Sequence, residues 1–305
     1  MTRIERLADD LILIDTHYHG TPDAVGVFLL TGERPALIET GPASTVETLL
    51  DGVRAAGLDP RDLKALAVTH IHLDHAGATG TLVRQFPHLD VYVHPLGAPH
   101  LIDPSRLLHS AARLYGGDLP RLFGETVPVP GERVHILEDG AQVRLGSRRL
   151  VAIDTPGHAR HHLAFHDETA GDLFTGDAVG VALPGSRFVR PPTPPPEIDV
   201  PAWDRTIERL RALRPRRLLL THFGAQTWVD ELLTQLQHRL HEAVRLVQTA
   251  LEDGLDDDAI IDRMRAVAAT EMSDLAGPGG PARFEVIMST RLSALGLIRY
   301  CKTLG

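Results

Sequence analysis

Apolar positions along this chain keep one period for about two thirds of its length and then change to another. Up to Leu220 they come in short blocks separated by polar turns, the pattern of strands buried on one or both faces. Leu11 to Ile14, Val25 to Leu30 and Ala36 to Ile38 read as strands. Ser44-Thr45-Val46-Glu47 has the spacing of a capping box and opens a helix that stops at Gly57. The strand Ala65 to Thr69 follows, then a polar loop, a helix near Thr79 to Phe86 and the strand Val91 to His94. The theme repeats with Val134 to Leu137, Gln142 to Leu145, Arg149 to Ile153, Leu163 to His166, Leu173 to Thr175 and Leu218 to Thr221. Trp203 to Leu213 has helical spacing, with Ile207 and Leu210 facing inward. This order predicts an α/β (α+β) chain with two sheets sandwiched between helices.

From Gln226 onward the period is helical. Trp228 to Leu251 places Leu232, Leu233, Leu236, Leu240, Val244 and Val247 on one stripe and reads as a single long amphipathic helix. Asp256 to Ala269 reads as a second helix and, after Gly277-Pro278-Gly279-Gly280-Pro281, Phe284 to Leu297 as a third. The expected division is a catalytic domain over 1-225 and a helical extension over 226-305. His238 and His241 lie at the edge of the packing stripe, so the extension is expected to be structural, packing on the domain or on a second copy. An exposed stripe is unusual on a monomer, and a homodimer through these helices is the expectation.

Composition narrows the class. With 305 residues, 43% of them hydrophobic, the chain can bury a large core. Cys301 is the single cysteine, which excludes an intramolecular disulfide and suits a reducing compartment. Met1 to Asp15 has no long apolar stretch and carries Glu5, Asp9 and Asp10, unlike a signal peptide, and no run approaches membrane-spanning length. A cytoplasmic protein with no membrane partner is expected. A net charge of -9 argues against a nucleic-acid partner. The cluster Arg205, Arg209, Arg211, Arg214, Arg216 and Arg217 reads as the solvated side of a helix and its exit. A small-molecule substrate remains.

The chemistry gathers at strand ends. His70-Ile71-His72-Leu73-Asp74-His75 directly follows the apolar run Leu66 to Val68, and Thr155-Pro156-Gly157-His158 follows Leu150 to Ile153. Thr175-Gly176-Asp177 follows Leu173 and Phe174, and Thr221-His222 follows Leu218 to Leu220. Imidazole nitrogen and carboxylate oxygen are what Zn(II) and similar borderline cations accept. His70 and His72, two apart at a strand exit, can point the same way, and His158 can complete a three-nitrogen site. Asp74 and His75 then face a second metal with His222, and Asp177 can bridge both ions.

With these motifs in this order, residues 10 to 225 resemble the metallo-β-lactamase superfamily, in particular its hydrolase branch of glyoxalase II, lactonases and ribonuclease Z. The resemblance implies a four-layer αββα sandwich. It implies two divalent cations, Zn2+ first and Fe or Mn as alternatives, and a metal-bridging hydroxide that attacks an ester, thioester, lactone or amide carbonyl. Asp74, which the family uses near the leaving group, becomes a candidate proton shuttle as well as a ligand. In the pattern P-G-H-x-x-x-H the second histidine falls on His162, a supporting position. One departure is Glu39-Thr40-Gly41, where the family has an aspartate that steadies a metal-site histidine.

Three other features are expected near the pocket. Tyr18, in the turn Asp15 to Gly20, is a candidate donor to a substrate carbonyl. Arg160 and His161 are placed to reach the mouth. The stretch Pro184 to Pro201 is too proline-rich for helix or central strand and reads either as a stiff pocket wall or lid, or as a plain surface connection. Lys64 and Lys302 are the only lysines and neither adjoins a motif, which disfavours a β-lactamase. An RNA-binding arm and the glutathione-binding basic residues of glyoxalase II are not matched. Other readings are a phosphodiesterase, a persulfide dioxygenase with one iron on His70, His158 and Asp177, and a non-catalytic metal-binding protein.

Overall fold

The computed structural model of the protein describes residues 3–182, 185–273 and 280–304. Its first sheet is built from β1 (Ile4–Ala8), β2 (Leu11–Asp15), β3 (Gly26–Leu30), β4 (Ala36–Ile38), β5 (Ala65–Ala67), β6 (Asp90–Val93) and β7 (Val134–Ile136), paired in that order. The first four run antiparallel and the remainder parallel. Along the connections lie α1 (Val46–Ala55), α2 (Leu73–Ala76), α3 (Thr79–Gln85), α4 (Ala98–Ile102), α5 (Ser105–Tyr115) and α6 (Leu119–Phe123). The second half supplies β8 (Gln142–Leu145), β9 (Arg148–Asp154), β10 (Leu163–Asp167), β11 (Asp172–Phe174), a short ribbon of β12 (Val181–Ala182) and β13 (Val189–Arg190), β14 (Arg217–Leu220) and β15 (Gly224–Gln226). Apart from the ribbon these pair in the order β15-β14-β11-β10-β9-β8. The remaining helices are α7 (Val200–Ala212), α8 (Val229–Glu252), α9 (Asp257–Ser273), α10 (Gly280–Ile287) and α11 (Thr290–Lys302).

Side-chain alternation makes this a four-layer sandwich. In β2, Leu11 and Leu13 enter the core between the sheets, while Ile12 and Ile14 enter the core under α1 and α3. In β14, Leu219 faces the other sheet, and Leu218 and Leu220 pack with the outer helices. Period two on strands buried on both faces therefore sends alternate residues into separate cores. Phe28 and Phe174 meet edge to face between the sheets, their ring centroids 5.3 Å apart.

The apolar stripe of α8 is consumed within the chain. Leu232, Leu233, Leu236, Leu240 and Val247 are fully buried in one core with Trp203, Ile207, Leu218 and Leu297. The homodimer expectation had rested on that stripe being open.

Several local readings need correction. Helix α1 starts at Val46, but no capping box forms: Thr45 Oγ1 donates to Pro42 O and Ser44 Oγ to Leu122 O, because residues 43–45 form a 3-10 turn. The expected helix over Phe284 to Leu297 is two helices, broken at Met288, with the Ser289 side chain accepting from Leu292 N to start α11. Helices α4 to α6 and the first strand were not anticipated. Pro201 lies in the first turn of α7, where a missing N–H is harmless, so the proline-rich stretch ends in a helix. Pro184 and Gly277 to Gly279 lie outside the described residues, whereas Gly280 and Pro281 already belong to α10.

Candidate metal centre

Four strand ends converge at one edge of the sandwich. His70 and His72 leave β5, and the single turn of α2 carries Asp74 and His75. His158 follows β9, Asp177 follows β11 and His222 follows β14. Helix α7 ties two of these loops down: Trp203 Nε1 donates to Ala178 O at 2.7 Å and Thr206 Oγ1 to Pro156 O at 2.7 Å. Gly157 is required at that clamp, since its φ is +140° and a Cβ there would lie 2.4 Å from Trp203 Cβ.

The seven residues picked from the sequence come together as two groups of converging ligand atoms, His70/His72/His158/Asp177 and Asp74/His75/His222. Asp177 stands between them. Its Oδ2 lies 3.3 Å from His158 Nε2, and its Oδ1 lies 3.3 Å from His75 Nε2 and 3.5 Å from His222 Nε2. Asp74 Oδ2 is 3.5 Å from His222 Nε2.

The outer faces of the imidazoles fix their tautomers. His158 Nδ1 donates to Pro192 O at 2.8 Å and His222 Nδ1 to Ala24 O at 2.6 Å. His75 Nδ1 donates to Glu39 Oε1 at 2.9 Å. The Thr69 hydroxyl donates to Glu39 Oε1 at 2.6 Å, so its oxygen is left to accept from His70 Nδ1 at 3.0 Å. Each of these rings is thereby left with an Nε2 lone pair turned inward. Two of those lone pairs, on His70 and His158, each approach His72 Nδ1 to 3.0 Å, although a neutral His72 has at most one N–H there to share. Asp177 Oδ1 is buried and has no hydrogen-bond partner. Inward lone pairs and an orphaned carboxylate oxygen are what cations satisfy, so the donor set fits divalent metals.

Electrostatics agree. Burial and the neighbouring imidazoles hold His70 and His72 well below the ordinary histidine value, and burial keeps His158 low. Burial acts against charge on His75 and His222 too, but the carboxylates of Asp177 and Asp74 outweigh it and raise both. The same imidazoles overcome burial at Asp74, holding it at about 2, and at Asp177, holding it well below the carboxylate range.

Glu39 stands where sequence reasoning left a question. It is fully buried, and its backbone holds φ +68°, an uncommon region for a residue with a side chain. Its carboxylate accepts from Thr69 N at 3.0 Å and Thr221 Oγ1 at 3.1 Å, besides Thr69 Oγ1 and His75. Glu39, His70 and His75 also form a possible ligand group. The Glu39 oxygens are already taken by N–H and O–H donors, so this side chain orients His75 instead. His162 likewise supports the cluster without joining it, its ring stacked on His70 with Nε2 accepting from Asp177 N at 3.1 Å and Nδ1 donating to Thr155 Oγ1 at 2.7 Å.

A cavity of about 780 Å³ opens onto Asp74, Asp177 and His222. Tyr18 lines it, buried, and burial together with the Asp74 charge pushes its phenol well above the usual tyrosine range. Tyr115 on α5 lines it too and is raised by the same causes. No local pattern marks Tyr115, because α5 reaches the cavity only through the fold. His161 lies at the wall with its pKa pushed down to about 4 by burial, whereas Arg160 is turned outward to Glu197 at 3.0 Å. Pro192 and Pro194 to Pro196 form a wall, as one of the two readings of that stretch had it. Glu285 to Ser289 and Arg291 to Ser293 also line the cavity, so the extension reaches a site it was not expected to touch.

The family model of the metallo-beta-lactamase superfamily matches residues 20–222, and the chain belongs to that superfamily. A metallo-beta-lactamase fold-containing protein of Sulfurisphaera tokodaii is 28% identical over 207 residues, 67% of this chain and 74% of that protein. An acyl-coenzyme A thioesterase of Gallus gallus is 28% identical over 192 residues, 57% of this chain and 64% of the thioesterase. A hydroxyacylglutathione hydrolase of Synechocystis is 28% identical over 160 residues, 50% of this chain and 49% of the hydrolase. The match thus spans less than two thirds of either hydrolase. A metallo-beta-lactamase family protein from Thermus thermophilus shares the fold over 98% of this chain and 95% of its own, with a TM-score of 0.73 at 22% identity. Among the described residues no helix is long and apolar enough to cross a membrane.

Proposed function

We propose that the protein is a dinuclear metal-dependent hydrolase acting on an ester, thioester or lactone-type carbonyl. The observation that carries this reading is Asp177, with one oxygen toward His158 and the other toward His75 and His222. His70, His72 and His158 would hold one cation, Asp74, His75 and His222 the other, and Asp177 both. Bound there, two divalent ions supply an acidified water, its pKa lowered from about 15.7 toward roughly 7, and a Lewis acid for the carbonyl oxygen. The donor set is that of Zn2+, with Fe and Mn as alternatives.

The chain's own residues do the rest. Glu39 and Thr69 hold His75 and His70 in the tautomers that aim Nε2 inward. Asp74 is 25% exposed against 6% for Asp177, so of the two it is the more open to the cavity and is placed to pass a proton to the leaving group. Tyr18, its phenol pushed up by burial and by the Asp74 charge, can donate to the substrate carbonyl. Leu107, Leu122 and Phe123 give the cavity an apolar side for an acyl group. Together with the two thioester hydrolases among its relatives, this favours a thioester. A mononuclear reading on His70, His158 and Asp177 leaves Asp74, His75 and His222 converged without a role. A cytoplasmic location belongs to the same proposal.

The test is thiol release from acyl thioesters by zinc-loaded protein, alongside lactone, ester and phosphodiester substrates. Cys301 is buried and gives little background with a thiol reagent. Turnover that chelation abolishes and Zn2+ restores is expected. Hydrolysis of phosphodiesters alone would overturn the carbonyl assignment.

A further inference from the structure

A second pocket of about 350 Å³ lies between α8, α9 and the segment following β13. Met288 and Ser293 line both it and the metal-site cavity, so the two share a wall. None of the candidate metal ligands lines it. Its chemistry centres on Arg190, whose side chain is only 11% exposed and whose buried Nη1 has no hydrogen-bond partner. The carboxylate facing it, Glu271, stands 3.7 Å from Arg190 Nε and is engaged by Arg239. The Arg239 guanidinium in turn lies 4.2 Å over the Phe188 ring.

Glu271 is divided between two guanidiniums, and Glu285, the other carboxylate acting on Arg190, is taken up by Thr290 N and Oγ1, so neither meets the idle Nη1. Burial pushes the Arg190 pKa below its ordinary value, against the pull of Glu271. A buried cation with an idle donor is costly unless something anionic meets it. The other surfaces are apolar: Leu246, Met264 and Val267, the last of these 43% exposed. A charged end and hydrocarbon sides define the occupant.

We propose that this pocket binds a small organic carboxylate, its headgroup on Arg190 and its hydrocarbon body against Leu246, Met264 and Val267. A carboxylate matches the planar fork of a guanidinium and supplies the acceptor that Arg190 Nη1 lacks. The site does not depend on what the metal centre hydrolyses.

Calorimetric titration of the zinc-loaded full chain with hexanoate tests this, with inorganic phosphate and 1-hexanol as the other arms. Hexanoate can also meet a metal, so the diagnostic component is the one lost in two variants. Arg190→Met should weaken it at least tenfold. Ala243→Phe, which fills the pocket and leaves every charge in place, should do the same while thiol release continues. Arg190→Met should melt no lower than the wild type, because Glu271 keeps Arg239. Hexanoate binding unchanged in both variants overturns the proposal. So does phosphate binding as tightly as hexanoate, which would leave the apolar walls without a part. A lower melting temperature for Arg190→Met with hexanoate binding retained in Ala243→Phe would make Arg190 a structural ion-pair residue only.

Discussion

Replacing Glu39 by glutamine keeps the shape of the side chain and removes one acceptor, which makes it a sharp probe of how the second metal position is held. The carboxylate is fully buried and accepts from four donors: Thr69 N, Thr69 Oγ1, His75 Nδ1 and Thr221 Oγ1. If the new amide nitrogen takes the Oε2 position, it faces the Thr69 N–H, donor against donor. If it takes Oε1, the two hydroxyls can rotate, but the His75 N–H cannot, and the ring must shift its proton to Nε2, the atom that faces Asp177. The first orientation strands a buried donor, at about 1–3 kcal/mol, and the second takes the Nε2 lone pair away from the metal position. Loss of such an outer partner weakens metal affinity by about 10–100-fold. Competition with a chromophoric chelator, read together with thermal melting, measures both. If the proposed dinuclear site forms, the weakening should fall on the ion held by Asp74, His75 and His222. Glu39→Gln with both affinities within about twofold of wild type and an unchanged Tm would refute the reasoning.

Asp177→Ala should cut kcat by about 10³-fold or more and lower bound metal, since both clusters lose a shared ligand, whereas His238→Ala, on the outer surface of α8, should leave kinetics intact; wild-type kcat and metal content in Asp177→Ala would count against the bridge. Gly157→Ala drives a Cβ into Trp203 and should cost about 1–3 kcal/mol, with His158 displaced; an unchanged melt and unchanged metal content would show that the clamp is slack. Hydrogen bonds from Arg148 hold the Asp10 carboxyl down at about 2, against roughly 3.9 in an unfolded chain. A depressed folded pKa gives stability that is present above about pH 4 and lost as pH falls toward 2. The Tm deficit of Asp10→Asn should therefore be full at pH 6 and shrink toward pH 2, and a constant deficit across that range would contradict the pairing.

What the sequence made legible was the local pattern. The apolar blocks located nearly every strand of both sheets, because β2 or β14 buried on both faces cannot avoid reading as Leu and Ile throughout. The candidate ligand groups were equally visible, since their motifs are contiguous or sit at strand exits. Contacts across the fold were not. The resemblance put Glu39 where a metal-site histidine is steadied, but nothing near it announces that Thr69 and Thr221 will surround it too, and nothing in Glu285 to Ser289 or Arg291 to Ser293 points to the cavity they line. Helix α10 ends and α11 begins without interrupting the apolar spacing, so the break at Met288 was hidden, and α4 and α6, five residues each, fall below the length at which periodicity speaks. The capping-box pattern at Ser44 failed because its hydroxyl donates across the fold to Leu122 O, while the 3-10 turn takes that of Thr45.

Elemental analysis of the purified chain tests the central claim most directly. Asp74, His75 and His222 converge beside a complete His70/His72/His158 group with Asp177 between them, so the account predicts close to two divalent ions per chain, zinc foremost. A reproducible single iron, with oxygen consumed on a persulfide substrate, would contradict it.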